Sequence, residues 1–119
     1  MPYELNSNSE YVYLKYSGTI EFSERKKAKN DVINLCFEKG LHRSLVDLRF
    51  SDIKMSKSDI INFAASFEKI NLPDNYRLAV IIDPDNQTEN IIEVMIAVDG
   101  ISVKYFFEFD DAEGWLTAI

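Results

Sequence analysis

Apolar and polar positions change rhythm several times along the chain, and each rhythm predicts an element. Tyr3 to Ser7 reads as a short first strand, and the polar run Asn6-Ser7-Asn8-Ser9 reads as a turn. Tyr11 to Ser17 is rich in aromatic and branched residues and predicts a second strand, so the two form an N-terminal antiparallel ribbon. From Ser23 to Glu38, Ala28, Val32, Leu35 and Cys36 fall on one helical stripe with Phe37 beside it. Gly40 stands where a left-handed helix cap belongs. Ser44 to Phe50 is the next strand, centred on Leu45-Val46-Asp47-Leu48. Ser56-Lys57-Ser58-Asp59 has the form of a capping box with Asp in place of Glu, and it opens a helix whose inner stripe is Ile60, Phe63, Ala64 and Phe67.

After a turn at Pro73-Asp74-Asn75, Leu78 to Ile82 is continuously apolar, as a strand covered on both faces should be. Asp83-Pro84-Asp85-Asn86 ends it. Gln87 to Asp99 predicts a third helix with Ile91, Val94, Met95 and Val98 inward, stopped at Gly100. Ile101 to Phe107 is the last strand, and Asp110-Asp111-Ala112-Glu113 reads as a second capping box before a short helix carrying Trp115 and Leu116. The order ββαβαβαβα predicts an α/β fold: a mostly parallel sheet, right-handed crossovers and helices packed on it. No repeat, linker or low-complexity tract interrupts it, so residues 1–119 read as a single domain.

Three stretches carry a family resemblance. Leu45-Val46-Asp47-Leu48-Arg49, Arg77-Leu78-Ala79-Val80-Ile81 and the ending from Phe106 through Asp110, Ala112, Trp115 and Leu116 occur in order and at fitting spacing. Together they resemble the SpoIIAA-like branch of the STAS (anti-sigma-factor-antagonist-like) fold. That resemblance implies four β-α units wound as a superhelix after an N-terminal antiparallel strand, and a regulatory or protein-binding role. In the antagonists of the wider STAS fold, a serine at the start of the second helix is phosphorylated within a pattern like Asp-Ser-x-Gly. Counting forward from Asp47 puts Ser56 on that serine, with Met55 where the Asp would stand and Ser58 where the Gly would stand.

Composition narrows the function classes. A hydrophobic fraction of 46% in 119 residues sustains a core and argues against disorder. The net charge of -7 disfavours nucleic acid and anionic membrane as partners. With Cys36 the one cysteine and His42 the one histidine, no internal disulfide forms and a zinc site of the usual kind is excluded. The N-terminal residues lack a signal-peptide pattern and the apolar runs are too short to cross a bilayer, so a cytoplasmic location is expected.

Candidate chemistry gathers beyond the carboxyl ends of the strands, where a parallel α/β sheet binds its ligands and where helix N-termini point. Ser56 and Ser58 are candidate phospho-acceptor or partner-contact residues, with N-capping the structural role of Ser56. Arg25, Lys26 and Lys29, with Lys57 across the rim, are candidates for binding an anion or an acidic partner. Basic residues at the positive end of a helix dipole break a local rule, and such breaks are enriched at functional sites. Asp52, Asp83 and Asp110 form a candidate rim polar cluster, with Asp85 and Asp111 nearby; no metal and no cofactor is assigned to it. Asp47, inside an apolar strand, needs Arg49 or a backbone amide as partner.

The leading expectation is a non-enzymatic regulatory or protein-binding module whose partner is another protein. An alternative is a carrier of a small apolar or lipid-type ligand, with Phe106, Phe107 and Phe109 lining the pocket. An enzyme using rim carboxylates ranks third, and the edge strands of the ribbon would allow a homodimer.

Overall fold

Each strand of the sheet lies beside its neighbours in sequence. A computed structural model describes residues 3–54, 56–65, 73, 75–83 and 102–118. Its elements are β1 (Tyr3–Ser7), β2 (Val12–Glu21), α1 (Phe22–Lys39), β3 (Arg43–Lys54), α2 (Lys57–Ala65), β4 (Arg77–Ile81), β5 (Ser102–Phe106) and α3 (Phe109–Leu116). The strands form one sheet in the order β1-β2-β3-β4-β5. β1 runs antiparallel to β2, and β2 through β5 are parallel. The expected ribbon and the mostly parallel sheet are both present. The helix expected over Gln87–Asp99, with Phe67, Asp85 and Gly100, lies outside the described residues.

The two-residue period of the strands sorts side chains between two cores. On one face, Val12, Leu14 and Tyr16 of β2 and Leu78 and Val80 of β4 pack beneath α1 and α2. On the other, Tyr11, Leu45, Ala79 and Ile81 pack under Ala112 and Leu116 of α3. β4 is therefore covered on both sides, which is what its unbroken apolar run requires.

Several boundaries follow local physics. α1 stops at Gly40, in the left-handed region at φ 67°, where the Leu41 amide reaches back to the Cys36 carbonyl at 2.8 Å. α2 opens with the expected reciprocal cap: the Asp59 amide donates to Ser56 Oγ at 3.0 Å, and the Ser56 amide donates to Asp59 Oδ2 at 3.3 Å. β2 runs beyond Ser17 to Glu21, past a bulge at which β3 carries one extra residue and past Gly18 at φ 75°.

Two expectations are corrected. The second capping box does not open the last helix at Asp110; Glu108 is the N-cap and Phe109 the first helical residue, its ring packed edge-on against Tyr13 at 5.9 Å. Asp110 and Asp111 sit instead in the first turn, where the helix dipole favours them. On α1 the buried stripe is Arg25, Ala28, Lys29, Val32, Ile33 and Cys36, while Leu35 is half-buried and Phe37 is exposed. Ile33 replaces Leu35 because the stripe follows the i, i+4, i+7, i+8 rows from Arg25.

Candidate functional site

The basic start of α1 turns inward. Arg25 is 3% exposed and Lys29 6%, so both lie inside the fold and not on the outer rim. Both approach the ring of Phe63 on α2, with Arg25 Cζ 4.5 Å and Lys29 Nζ 5.7 Å from its centroid. They line a cavity of about 30 Å³ between α1, α2 and the sheet. Tyr16, Tyr76, Leu14 and Val80 form much of the rest of its wall.

Burial lowers the pKa of Arg25, with Tyr16 and Tyr105 pulling it back up. Burial also lowers that of Lys29, and Lys26 adds to the effect. Tyr16 is pushed up to about 12 by burial, against the pull of Arg25. Burial likewise raises Tyr76 and Tyr105. The aliphatic stems of Arg and Lys explain why these positions tolerate the core, since both side chains bury long apolar segments.

The other candidates occupy the outer rim. Lys26, Ser56 and Ser58 are exposed, and Ser56 holds its capping bonds in that exposed position. Lys57 opens α2, but its side chain lies outside the described residues. Asp52 and Asp110 are exposed and Asp83 is half-buried. Among the described residues, no three His, Cys, Asp or Glu side chains gather closely enough to hold a metal ion. The three phenylalanines expected to line an apolar pocket point to different neighbours. Phe106 packs against Trp115 at 5.9 Å, Phe109 against Tyr13, and Phe107 is 56% exposed.

At the bulge, on the α3 side of the sheet, sequence reasoning foresaw the pairing of Asp47 but missed the exposed ring of Phe50 and the cations beside it. Asp47 is buried and receives a two-pronged ion pair, Arg49 Nε to Oδ1 at 3.0 Å and Arg49 Nη2 to Oδ2 at 2.8 Å. The Arg49 amide adds a third bond at 3.0 Å, so both partners foreseen for Asp47 are in use. The bidentate bond raises the pKa of Arg49. Beside this pair Phe50 is 56% exposed, with Lys15 Nζ 4.7 Å and Arg49 Cζ 5.3 Å from its ring centroid. The bulge creates this cluster. It opposes Phe50 to Ser17 rather than to the residue that unbroken pairing would give. No residue type in the sequence marks it.

An antiparallel first strand, a parallel remainder, and helices on both faces define the class: an α/β module of SpoIIAA-like fold. A solved structure of that fold is similar over nearly the whole chain. It is an uncharacterised protein of the DUF3478 family, with a SpoIIAA-like fold, from Shewanella loihica PV-4; the TM-score is 0.59 and the identity 16%, over 96% of this chain and 91% of that one. No protein-family model matches the sequence, and no curated protein matches it. The likeness carries the fold.

Proposed function

We propose that this chain is a non-enzymatic regulatory module that captures an acidic segment of another protein at the carboxyl end of β3. The observation that supports this reading is the exposed ring of Phe50 held between Lys15 and Arg49, on a chain whose net charge is -7. An exposed aromatic next to cations suits a partner that brings apolar contact and carboxylates together, and aromatic and Arg residues are typical anchors of such contacts. Ser56 stands a few residues further along the same chain segment, exposed and on a helix N-terminus, where a phosphate would be well received. Phosphate there would add negative charge along the path of an acidic segment that runs from Phe50 past the end of β3, and weaken that segment's hold.

Phe50→Ser, Lys15→Glu and Ser56→Asp test the assignment by capture from an extract of the host cell. Each is expected to reduce recovery of the bound protein at least fivefold, while circular dichroism and melting temperature stay close to those of the parent chain. Undiminished capture by Phe50→Ser and Lys15→Glu would remove the proposed surface from consideration.

A further inference from the structure

The N-terminal hairpin fixes which backbone groups of β1 face away from the sheet. The Asn8 amide donates to the Tyr11 carbonyl at 3.1 Å, so Asn8 and Tyr11 are a hydrogen-bonded pair. From there the pairing runs without a shift through Ser7 with Val12, Asn6 with Tyr13, Leu5 with Leu14, Glu4 with Lys15 and Tyr3 with Tyr16. Bonded and non-bonded pairs alternate, so Asn6 and Glu4 turn their backbone groups to β2, whereas Tyr3, Leu5 and Ser7 turn theirs outward. Among the described residues no strand pairs with that outer side. α1 packs mainly on β2 and β3, reaching β1 at Tyr3, whose hydroxyl donates to Asp31; α3 packs on β3, β4 and β5. The side chains of β1 alternate as well. Tyr3 and Leu5 pack on the α1-side core, Leu5 half-buried, while Glu4 and Asn6 are exposed on the other face. β1 carries none of the Pro, Lys or bulge that commonly blunts an edge, and its one charge is Glu4.

We infer that β1 pairs antiparallel with β1 of a second copy of this chain, about a two-fold axis at Leu5, joining two sheets into one. Hydrogen bonds form only where outward residues meet outward residues. An axis at Leu5 achieves this along the whole of β1: Leu5 faces Leu5, and Tyr3 faces Ser7 of the second copy. An axis at Glu4 shortens the pairing and opposes two carboxylates, and an axis at Asn6 shortens it and loses Tyr3. With the axis at Leu5, Glu4 faces Asn6 of the second copy, so a carboxylate meets an amide on both sides of the axis. The two half-buried leucines meet on the α1 side and complete each other's cover. This self-complementary placement of Glu4 and Asn6 about Leu5 favours a second copy over an unrelated strand. Lys15, which stands opposite Glu4 on β2, and Arg49, Phe50 and Ser56 are left unaltered in the test, so its failure would leave the proposed protein contact standing.

Sedimentation equilibrium of the full chain is expected to show a monomer–dimer equilibrium in about 0.15 M salt, where repulsion between copies of net charge -7 is mostly screened. Ser7→Pro removes an amide hydrogen that β2 does not use, and should weaken the dimer at least tenfold. Asn6→Glu sets a second carboxylate opposite Glu4 on both sides of the axis, and should weaken it at least threefold. In a Glu4→Lys background the effect of Asn6→Glu should reverse and tighten the dimer, a reversal that neither a folding defect nor overall charge produces. Amide hydrogen exchange read by NMR should slow at Leu5 and Ser7 as protein concentration rises, with Glu4 and Asn6 protected at every concentration. A chain that stays monomeric into the millimolar range overturns the inference. So does a dimer that survives Ser7→Pro, an Asn6→Glu effect of the same sign in both backgrounds, or exchange at Leu5 that ignores concentration.

Discussion

Asp47 and Arg49 illustrate how two residues in one strand can secure each other. The carboxylate is almost wholly buried, whereas its guanidinium partner is 27% exposed. Removing the partner therefore leaves a charge stranded in the core. Arg49→Ala is expected to cost about 3 kcal/mol in urea unfolding, the low end for a broken buried pair because the Arg49 amide still bonds the carboxylate. Arg49→Lys should recover only part of this loss, since an ammonium lacks the two-pronged fork. A change below about 0.5 kcal/mol for Arg49→Ala would contradict this account.

Tyr16 sets a limit in alkali. Burial lifts its pKa from 10.0 to about 12, so between those values the folded state keeps a proton that the unfolded state releases. Stability is then fully present below pH 10 and falls as pH rises from about 10 to about 12, by roughly 2–3 kcal/mol for this one group. Tyr16→Phe should flatten that part of the stability profile, and an unchanged slope would rule out Tyr16 as its source. The need of Asp47 for Arg49 is legible in the sequence, because a carboxylate in an apolar strand demands a partner. The burial of Arg25 and Lys29 is not, because their charge hides that they stand on the same helical rows as Val32 and Cys36.

Among the elements, α2 depends most visibly on its first residues. Ser56 and Asp59 exchange both capping bonds, and Ser56→Ala removes one of them. The expected cost is about 1 kcal/mol in denaturant unfolding, while Ser56→Asp, itself a good cap, should cost little. Equal losses in the two variants would argue against a capping role. This element, Gly40 at the end of α1 and the apolar run of β4 are all legible, because each rests on chemistry confined to a few neighbouring residues. The start of α3 is not. The contact of Phe109 with Tyr13 brings the helix forward to Glu108, and that contact spans almost the whole chain. The bulge between β2 and β3 escapes for the same reason, since it is a property of pairing between distant segments.

Across the whole molecule, the sheet order and the two cores follow from the succession of elements, while the working surfaces depend on packing between them. The ends of the chain are tied by the Tyr11 hydroxyl, which donates to Glu113 Oε2 across 102 positions of sequence. Burial and that carboxylate together lift the Tyr11 pKa to about 12. Tyr11→Phe is expected to cost about 1 kcal/mol and to speed hydrogen exchange in α3 more than in β2 and β3. Uniform acceleration through all three elements would contradict a local tie. The order β1-β2-β3-β4-β5 also bears on how the protein assembles. No described strand has to be inserted between two already paired, so the sheet can grow from one side as the chain leaves the ribosome, each new strand finding a ready template. Among the described elements, α3 is made last and packs back on strands laid down earlier, at Leu45 and Ala79. Until it docks, Leu45, Ala79 and Ile81 lack the cover that Ala112 and Leu116 give them. The interval before that last helix docks is when a nascent chain of this design is most exposed to aggregation and most in need of a chaperone.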